Sequence, residues 1–197
     1  VSVLVKICGL RDAATAAAAV QAGAGAVGFV FAESPRRVTP GEARAAATGL
    51  PRDVLRVAVM LHPTQDEWHR VLEEFGPDVL QTDAADFECL DVPPEVVRWP
   101  VIREGAVARK VPEIFVYEGA RSGSGETVDW ARAAEFGRRG RMILAGGLSA
   151  DNVGAAIRAA SPWGVDASSA VESVPGVKDV ALMRRFIGAV RAAEEAA

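Results

Sequence analysis

Eight strand-like segments separated by helices or short turns, no dinucleotide-binding G-x-G-x-x-G motif, and glycine-containing loops after the seventh and eighth strands predict a single (β/α)8 TIM barrel. Alternating strands and helices imply a parallel sheet, either doubly wound or closed on itself. A dinucleotide fold would carry its glycines behind the first strand with an acid following, and this chain does not. Barrels commonly hold a phosphate in the loops after strands 7 and 8, where these glycines fall. No linker or low-complexity stretch interrupts the chain. One domain is therefore expected over residues 1–197, near the lower size limit for the fold.

The elements follow in order. Residues 3–8 are an apolar, β-branched run and form strand 1. Asp12 caps an Ala-rich helix that stops at Gly23 and Gly25. Strand 2 covers 27–31, and a helix follows Pro40. Strand 3 covers 55–61; Pro63-Thr64 opens a helix that runs to Phe75. Strand 4 is short (78–81), with a weak helix at 86–91. Val101-Ile102 anchors strand 5, and only a brief turn precedes strand 6 at 113–117. A helix over 127–137, strand 7 at 142–145, a helix from Ser149 to Ala160, strand 8 at 165–167 and a final helix over 179–193 complete the chain.

Composition narrows the function. Half of the residues are hydrophobic and a quarter charged, with a net charge of −4. There is no basic footprint for nucleic acid or a membrane surface, and no apolar run long enough to span a bilayer. The first residues do not read as a secretory signal. Two cysteines, Cys8 and Cys89, make neither a disulfide framework nor a metal-ligand pattern. A reduced, cytoplasmic, metal-free protein is expected.

In a barrel the active site is built where the strands end. Those positions hold Cys8, then Ser34-Pro35-Arg36-Arg37, His62, Gln81-Thr82-Asp83, Arg103, Glu118, Ser122-Gly123-Ser124-Gly125, Gly146-Gly147 and Ser168-Ser169. The segment Gly146-Gly147-Leu148-Ser149 opens a helix in this reading, with amides and a positive dipole end toward the mouth. Asp166-Ala167-Ser168-Ser169-Ala170 opens a further short helical turn, and the two loops together suit a phosphate.

Alternation puts Leu4, Lys6 and Cys8 on one face of strand 1. Cys8 is either a small buried hydrophobe or a base made reactive by the nearby ammonium. An inward lysine needs a partner. Strand 8 neighbours strand 1 in a closed barrel, and Asp166 faces the same way, so Asp166 is assigned to Lys6 in a structural and then tuning role. From position alone, Asp129 is an acid in a first helical turn, and Arg36 and Arg37 are more often solvated than functional. Behind Pro35, Arg36 also has the chemistry to grip a carboxylate through two hydrogen bonds. His62 and His69 read as surface or loop histidines, and Cys89 as packing or exposed.

In sequence, Lys6-Ile7-Cys8-Gly9, Gly28-Phe29-Val30-Phe31, Ser34-Pro35-Arg36, Gly123-Ser124-Gly125 with Asp129-Trp130, Gly146-Gly147-Leu148, Asn152-Val153, and Asp166-Ala167-Ser168-Ser169 with Val171-Glu172 resemble the phosphoribosylanthranilate isomerase family. The resemblance covers nearly the whole chain. It implies a (β/α)8 barrel and an Amadori rearrangement of N-(5-phosphoribosyl)anthranilate in tryptophan synthesis, without a cofactor. It implies Cys8 as general base, Asp129 as general acid, Arg36 on the substrate carboxylate, and Gly125, Gly146, Gly147, Ser168 and Ser169 as substrate-binding. The partner is then a phosphorylated small molecule, and the chain a monomer or homodimer. Five positions in three places depart from the family pattern: Thr82-Asp83-Ala84 where Leu-His-Gly is usual, Glu118 where aspartate is usual, and Ala170 where glycine is common. The alternatives are a histidine-pathway or bifunctional isomerase, and a catalytically silent barrel that binds a phosphorylated metabolite. The former uses aspartates on strands 1 and 5, where this chain has Cys8 and Arg103.

Overall fold

A computed structural model describes residues 2–106, 110–120 and 126–196. Eight parallel strands close into a barrel in sequence order: β1 (Leu4–Cys8), β2 (Ala26–Val30), β3 (Leu55–Val59), β4 (Val79–Asp83), β5 (Val97–Arg103), β6 (Ile114–Glu118), β7 (Arg141–Leu144) and β8 (Gly164–Ala167). Closure pairs β1 with β8, setting Lys6 opposite Asp166. Six helices pack outside: α1 (Ala13–Ala22), α2 (Pro40–Ala47), α3 (Gln65–Phe75), α4 (Trp130–Gly137), α5 (Val153–Ala160) and α6 (Val180–Glu195).

Strand alternation sorts the side chains into two cores. Val5, Ile7, Val27, Phe29, Leu80, Phe115 and Tyr117 point outward and meet the helices. Ala26, Val57, Val79, Trp99, Val101, Val116 and Ile143 fill the barrel axis. At its N-terminal end the axis is stoppered by Trp99 and Trp163, edge to face at 6.5 Å. The Arg141 guanidinium lies 5.3 Å from the centre of the Trp163 ring.

Local chemistry sets the helix limits. Asp12 accepts from the Thr15 amide, and Gly23 closes α1 in the left-handed region. Thr64 and Glu67 form a reciprocal capping box at α3, whose Trp68, Val71 and Phe75 turn inward. Phe75 meets Phe29 of β2 edge to face at 5.2 Å. Truncating such a ring to alanine costs about 3–5 kcal/mol.

Besides shifts of two or three residues at element ends, such as α4 starting at Trp130 rather than residue 127, the structure departs from the sequence expectation in four places. β5 contains the Val101-Ile102 anchor but starts already at Val97; Arg98 and Pro100 break its apolar run and so hide its first half, although Pro100 pairs in register with Thr82. The weak helix at 86–91 is a 3-10 turn over Ala84–Glu88. α5 begins at Val153, not Ser149, because Asn152 folds back across the loop. Its Oδ1 accepts from the Ser149 amide and its Nδ2 donates to the Gly147 carbonyl, both at 2.8 Å. An antiparallel hairpin not foreseen in the sequence, β9 (Glu172–Val174) and β10 (Val177–Lys178), separates β8 from α6.

Candidate active site

The inward positions at the C-terminal strand ends surround a cavity of about 210 Å³. Its wall includes Cys8, Val30, Val59, Gln81, Val101, Arg103, Glu118, Ala145, Asp166 and Ser168. These residues follow from the strand period: on β1 to β7 each lies on the same strand face as a side chain of the barrel axis, and on β8 Asp166 and Ser168 share the face of Gly164. Arg36, Gly146, Gly147 and Ser169 join the wall from the loops.

Cys8 is buried on the inner face of β1. Its neighbour across the ladder is Gly28, where an added Cβ would stand 3.0 Å from Cys8 Sγ and 3.1 Å from Lys6 Cε. The missing side chain on β2 is therefore what admits both groups. Lys6 is fully buried, and its Nζ donates to Asp166 Oδ2 at 2.6 Å. Burial works against the Lys6 charge, but the Asp166 carboxylate reverses this and holds the ammonium above the ordinary lysine range. Burial pushes Asp166 upward, with Lys6 pulling it back. Burial likewise pushes the Cys8 thiol up, and Lys6 offsets only part of that. Lys6 does pull toward the thiolate, as the sequence suggests, but burial outweighs it and the thiol lies above its ordinary range.

Arg36 lies over Gly9, whose φ is +80° and where a Cβ would come within 2.6 Å of Arg36 Cδ. Its Nε and Nη2 donate to Glu172 Oε1 and Oε2 at 2.7 and 2.8 Å. Glu172 also accepts from Lys178 Nζ at 2.7 Å and from the Gly176 amide at 3.2 Å. Burial opposes the Glu172 charge, yet Arg36 and Lys178 together hold the carboxyl down at about 2. Lys178 is buried and donates further to the Ser168 carbonyl at 2.9 Å. Ser168 Oγ in turn donates to the Cys8 carbonyl at 3.1 Å.

On the β7 side, Gly146 and Gly147 both take positive φ, 96° and 59°. Among the described residues their amides donate to no carbonyl. Ser169 starts a 3-10 turn over Ser169–Val171, the short helical turn expected after β8. Two glycines and two serines on adjacent strand ends thus line one side of the cavity.

Asp129 stands apart. It is exposed, caps α4 through hydrogen bonds from the Ala131 and Arg132 amides, and does not line the cavity that holds Cys8. Gly125, with Ser122, Gly123 and Ser124, lies outside the described residues. Across the mouth, Arg103 Nη2 meets Asp83 Oδ1 at 2.6 Å and Nη1 meets Glu118 Oε2 at 2.9 Å. His62, mostly exposed, hydrogen-bonds Asp86. Among the described residues no cluster of His, Cys, Asp or Glu fits a metal ion, and no helix is long and apolar enough to cross a membrane.

The family model for N-(5'phosphoribosyl)anthranilate (PRA) isomerase matches residues 5–189. This chain belongs to that family. Its isomerase relatives include the N-(5'-phosphoribosyl)anthranilate isomerase of Desulforamulus reducens, 39% identical over 201 residues, or 96% of this chain and 95% of the relative. Among solved structures, the TrpF protein of Jonesia denitrificans is 33% identical, with a TM-score of 0.81 over 98% of each chain. A phosphoribosylanthranilate isomerase in complex with reduced 1-(o-carboxyphenylamino)-1-deoxyribulose 5-phosphate is 28% identical, with a TM-score of 0.77 over 96% of this chain and 99% of that one.

Sequence reasoning gave roles to Cys8, Arg36 and the loops of this isomerase site but none to Glu172 or Lys178. A signal was present: Lys178 follows the turn-forming Pro175-Gly176 pair, and a hairpin there returns it toward Glu172. Gln81, whose side chain is buried in the wall with no hydrogen bond to Oε1, was likewise left without a role.

Proposed function

We propose that this chain isomerises N-(5'-phosphoribosyl)anthranilate to 1-(2-carboxyphenylamino)-1-deoxyribulose 5-phosphate, the Amadori step of tryptophan synthesis. The observation that carries this reading is Cys8 at the cavity floor, between the Arg36 side and the Gly146-Gly147 and Ser168-Ser169 loops, in a member of this family. The phosphate rests on those two loops, where the Gly146 and Gly147 amides and the serine hydroxyls favour an anion. The anthranilate carboxylate meets Arg36, and the ring lies against Val30, Val59 and Met60.

Asp129 protonates the ribose ring oxygen, and the C1–O bond breaks to give a Schiff base. Cys8, as thiolate, then removes the C2 proton. The resulting enolamine takes up a proton and becomes the ketone, so no atom is gained or lost. Because burial keeps the resting thiol protonated, kcat/KM is expected to climb as pH rises toward the elevated thiol pKa. The acid role requires the first turn of α4 to approach the mouth when substrate is bound. The histidine-pathway alternative is not favoured. The end of β5 carries Arg103, engaged by Asp83 and Glu118, in place of an acid.

The test is direct. Substrate is generated in situ, purified protein added, and the loss of substrate fluorescence followed without added metal or nucleotide. Turnover is expected, with Cys8→Ala lowering kcat about 10²–10⁴-fold. Asp129→Asn separates acid from cap, since asparagine caps a helix as well as aspartate does. A similar loss in that variant supports the acid role, and full activity removes it. No turnover by the parent protein would defeat the isomerase reading.

A further inference from the structure

Arg36 already holds a carboxylate, and that carboxylate is the protein's own. The contact to Glu172 uses the Nε and Nη2 edge of the guanidinium. Five N–H groups make a second edge from Nη1 and the remaining Nη2 hydrogen, equally suited to a carboxylate. Arg36 is part of the cavity wall.

Glu172 is fixed more firmly than a surface partner would be. Its side chain is 3% exposed and that of Lys178 2%. The hairpin carrying both is pressed onto the loop that carries Arg36. Gly176 has φ +83°, and a Cβ there would stand 2.5 Å from the Pro35 carbonyl oxygen. Arg36 and Lys178 bring two positive charges to one negative, so the trio keeps a net charge of about +1 at neutral pH. Lys178 also reaches Ser168, so one ammonium touches both the carboxylate side and the phosphate side of the cavity.

We propose that Glu172 and Lys178 are positioning residues for carboxylate recognition: Glu172 holds one edge of Arg36 so that the other faces the cavity, and Lys178 cancels the Glu172 charge so that the guanidinium keeps its pull on an incoming carboxylate. This rests on the isomerase reading, in which that carboxylate is the anthranilate's. Neither residue touches substrate. Their effect is selectivity for a ring that bears a carboxylate, and a fixed span between Arg36 and Ser168.

The experiment compares two substrates, the phosphoribosyl adducts of anthranilate and of aniline, which lacks the carboxylate. In Glu172→Gln, KM for the anthranilate adduct is expected to rise about tenfold or more, the size of one misaligned charge-assisted hydrogen bond. Its kcat should stay within about threefold, and the aniline adduct should react as with the parent. Lys178→Met should move selectivity the same way, and it carries the test if Glu172→Gln does not fold. Equal losses for both substrates, or unchanged selectivity in the folded variants, would overturn the proposal. Equilibrium binding of the rearranged product, followed by calorimetry, repeats the comparison without turnover. An inactive parent whose product affinity still falls about tenfold in Glu172→Gln keeps this inference and rejects only the isomerase reading; unchanged affinity rejects this inference.

Discussion

Two charge networks face each other across the barrel mouth, and they differ in how much water reaches them. On the β8–β1–β2 side, Lys6, Asp166, Arg36, Glu172 and Lys178 are closed in by strands and hairpin, with the Lys6 side chain 0% exposed. On the β4–β6 side, Asp83, Arg103 and Glu118 use the same residue types at similar distances, but Arg103 is 19% exposed and nearby His62 65%. Distance alone does not rank them. In the first network a lost partner leaves a charge that water cannot reach. In the second, solvent takes the partner's place. The buried side is therefore suited to hold groups still and to shift their protonation, and the open side to tolerate change. The departures from the family pattern at Asp83 and Glu118 fall on the open side.

The sharpest way to break this contrast is Lys6→Met, which strands Asp166 in the barrel. A loss of about 3–5 kcal/mol is expected in urea unfolding. Lys6→Met with Asp166→Leu should recover most of it, because the remaining charge is gone; a double variant no more stable than the single would contradict the account.

Acid titration gives the next largest effect. The Glu172 carboxyl lies at about 2 in the fold, against an ordinary 4.5. Its pKa is depressed by folding, so its stabilisation is complete above 4.5 and disappears as pH falls from 4.5 toward 2. The amount is roughly 3 kcal/mol, from about 1.4 kcal/mol per pKa unit. Stability measured down that range should show the loss in the parent protein and lack it in Glu172→Gln.

Arg103→Gln tests the open side and should cost under about 1 kcal/mol, with the difference shrinking in high salt. A cost equal to that of Lys6→Met would erase the distinction between the networks. Smaller still is His62, whose pKa the Asp86 hydrogen bond raises above the ordinary histidine range. Any stability it lends is full below the unfolded pKa and fades as pH rises through the folded one. NMR titration should show the raised value, and Asp86→Asn should bring it down.

What the sequence disclosed divides along similar lines. Strand 1, its inward face and the Lys6–Asp166 register were legible because alternation and barrel closure are general rules. The glycines at Gly23 and Gly146-Gly147 announced turns. Elsewhere, a local exception overrode the general pattern. Pro100 hid half of β5, since a proline seldom sits inside a central strand. Asn152 delayed α5 by satisfying the loop with its own side chain. The partners of Arg36 were not legible, because two residues 136 apart meet only once the whole sheet has closed. That burial outweighs Lys6 at the Cys8 thiol depends on packing across the closed barrel, which is not local information.

The tryptophan stopper at the base of the barrel bears on traffic through the site. With Trp99 and Trp163 closing one end, the cavity formed by the described residues opens at the strand ends. Whatever enters must back out by the same route before the next molecule arrives. Substrate and rearranged product, which share phosphate and carboxylate, then queue for one set of anchors. The product should act as a purely competitive inhibitor, slowing turnover as it accumulates by occupying the free site.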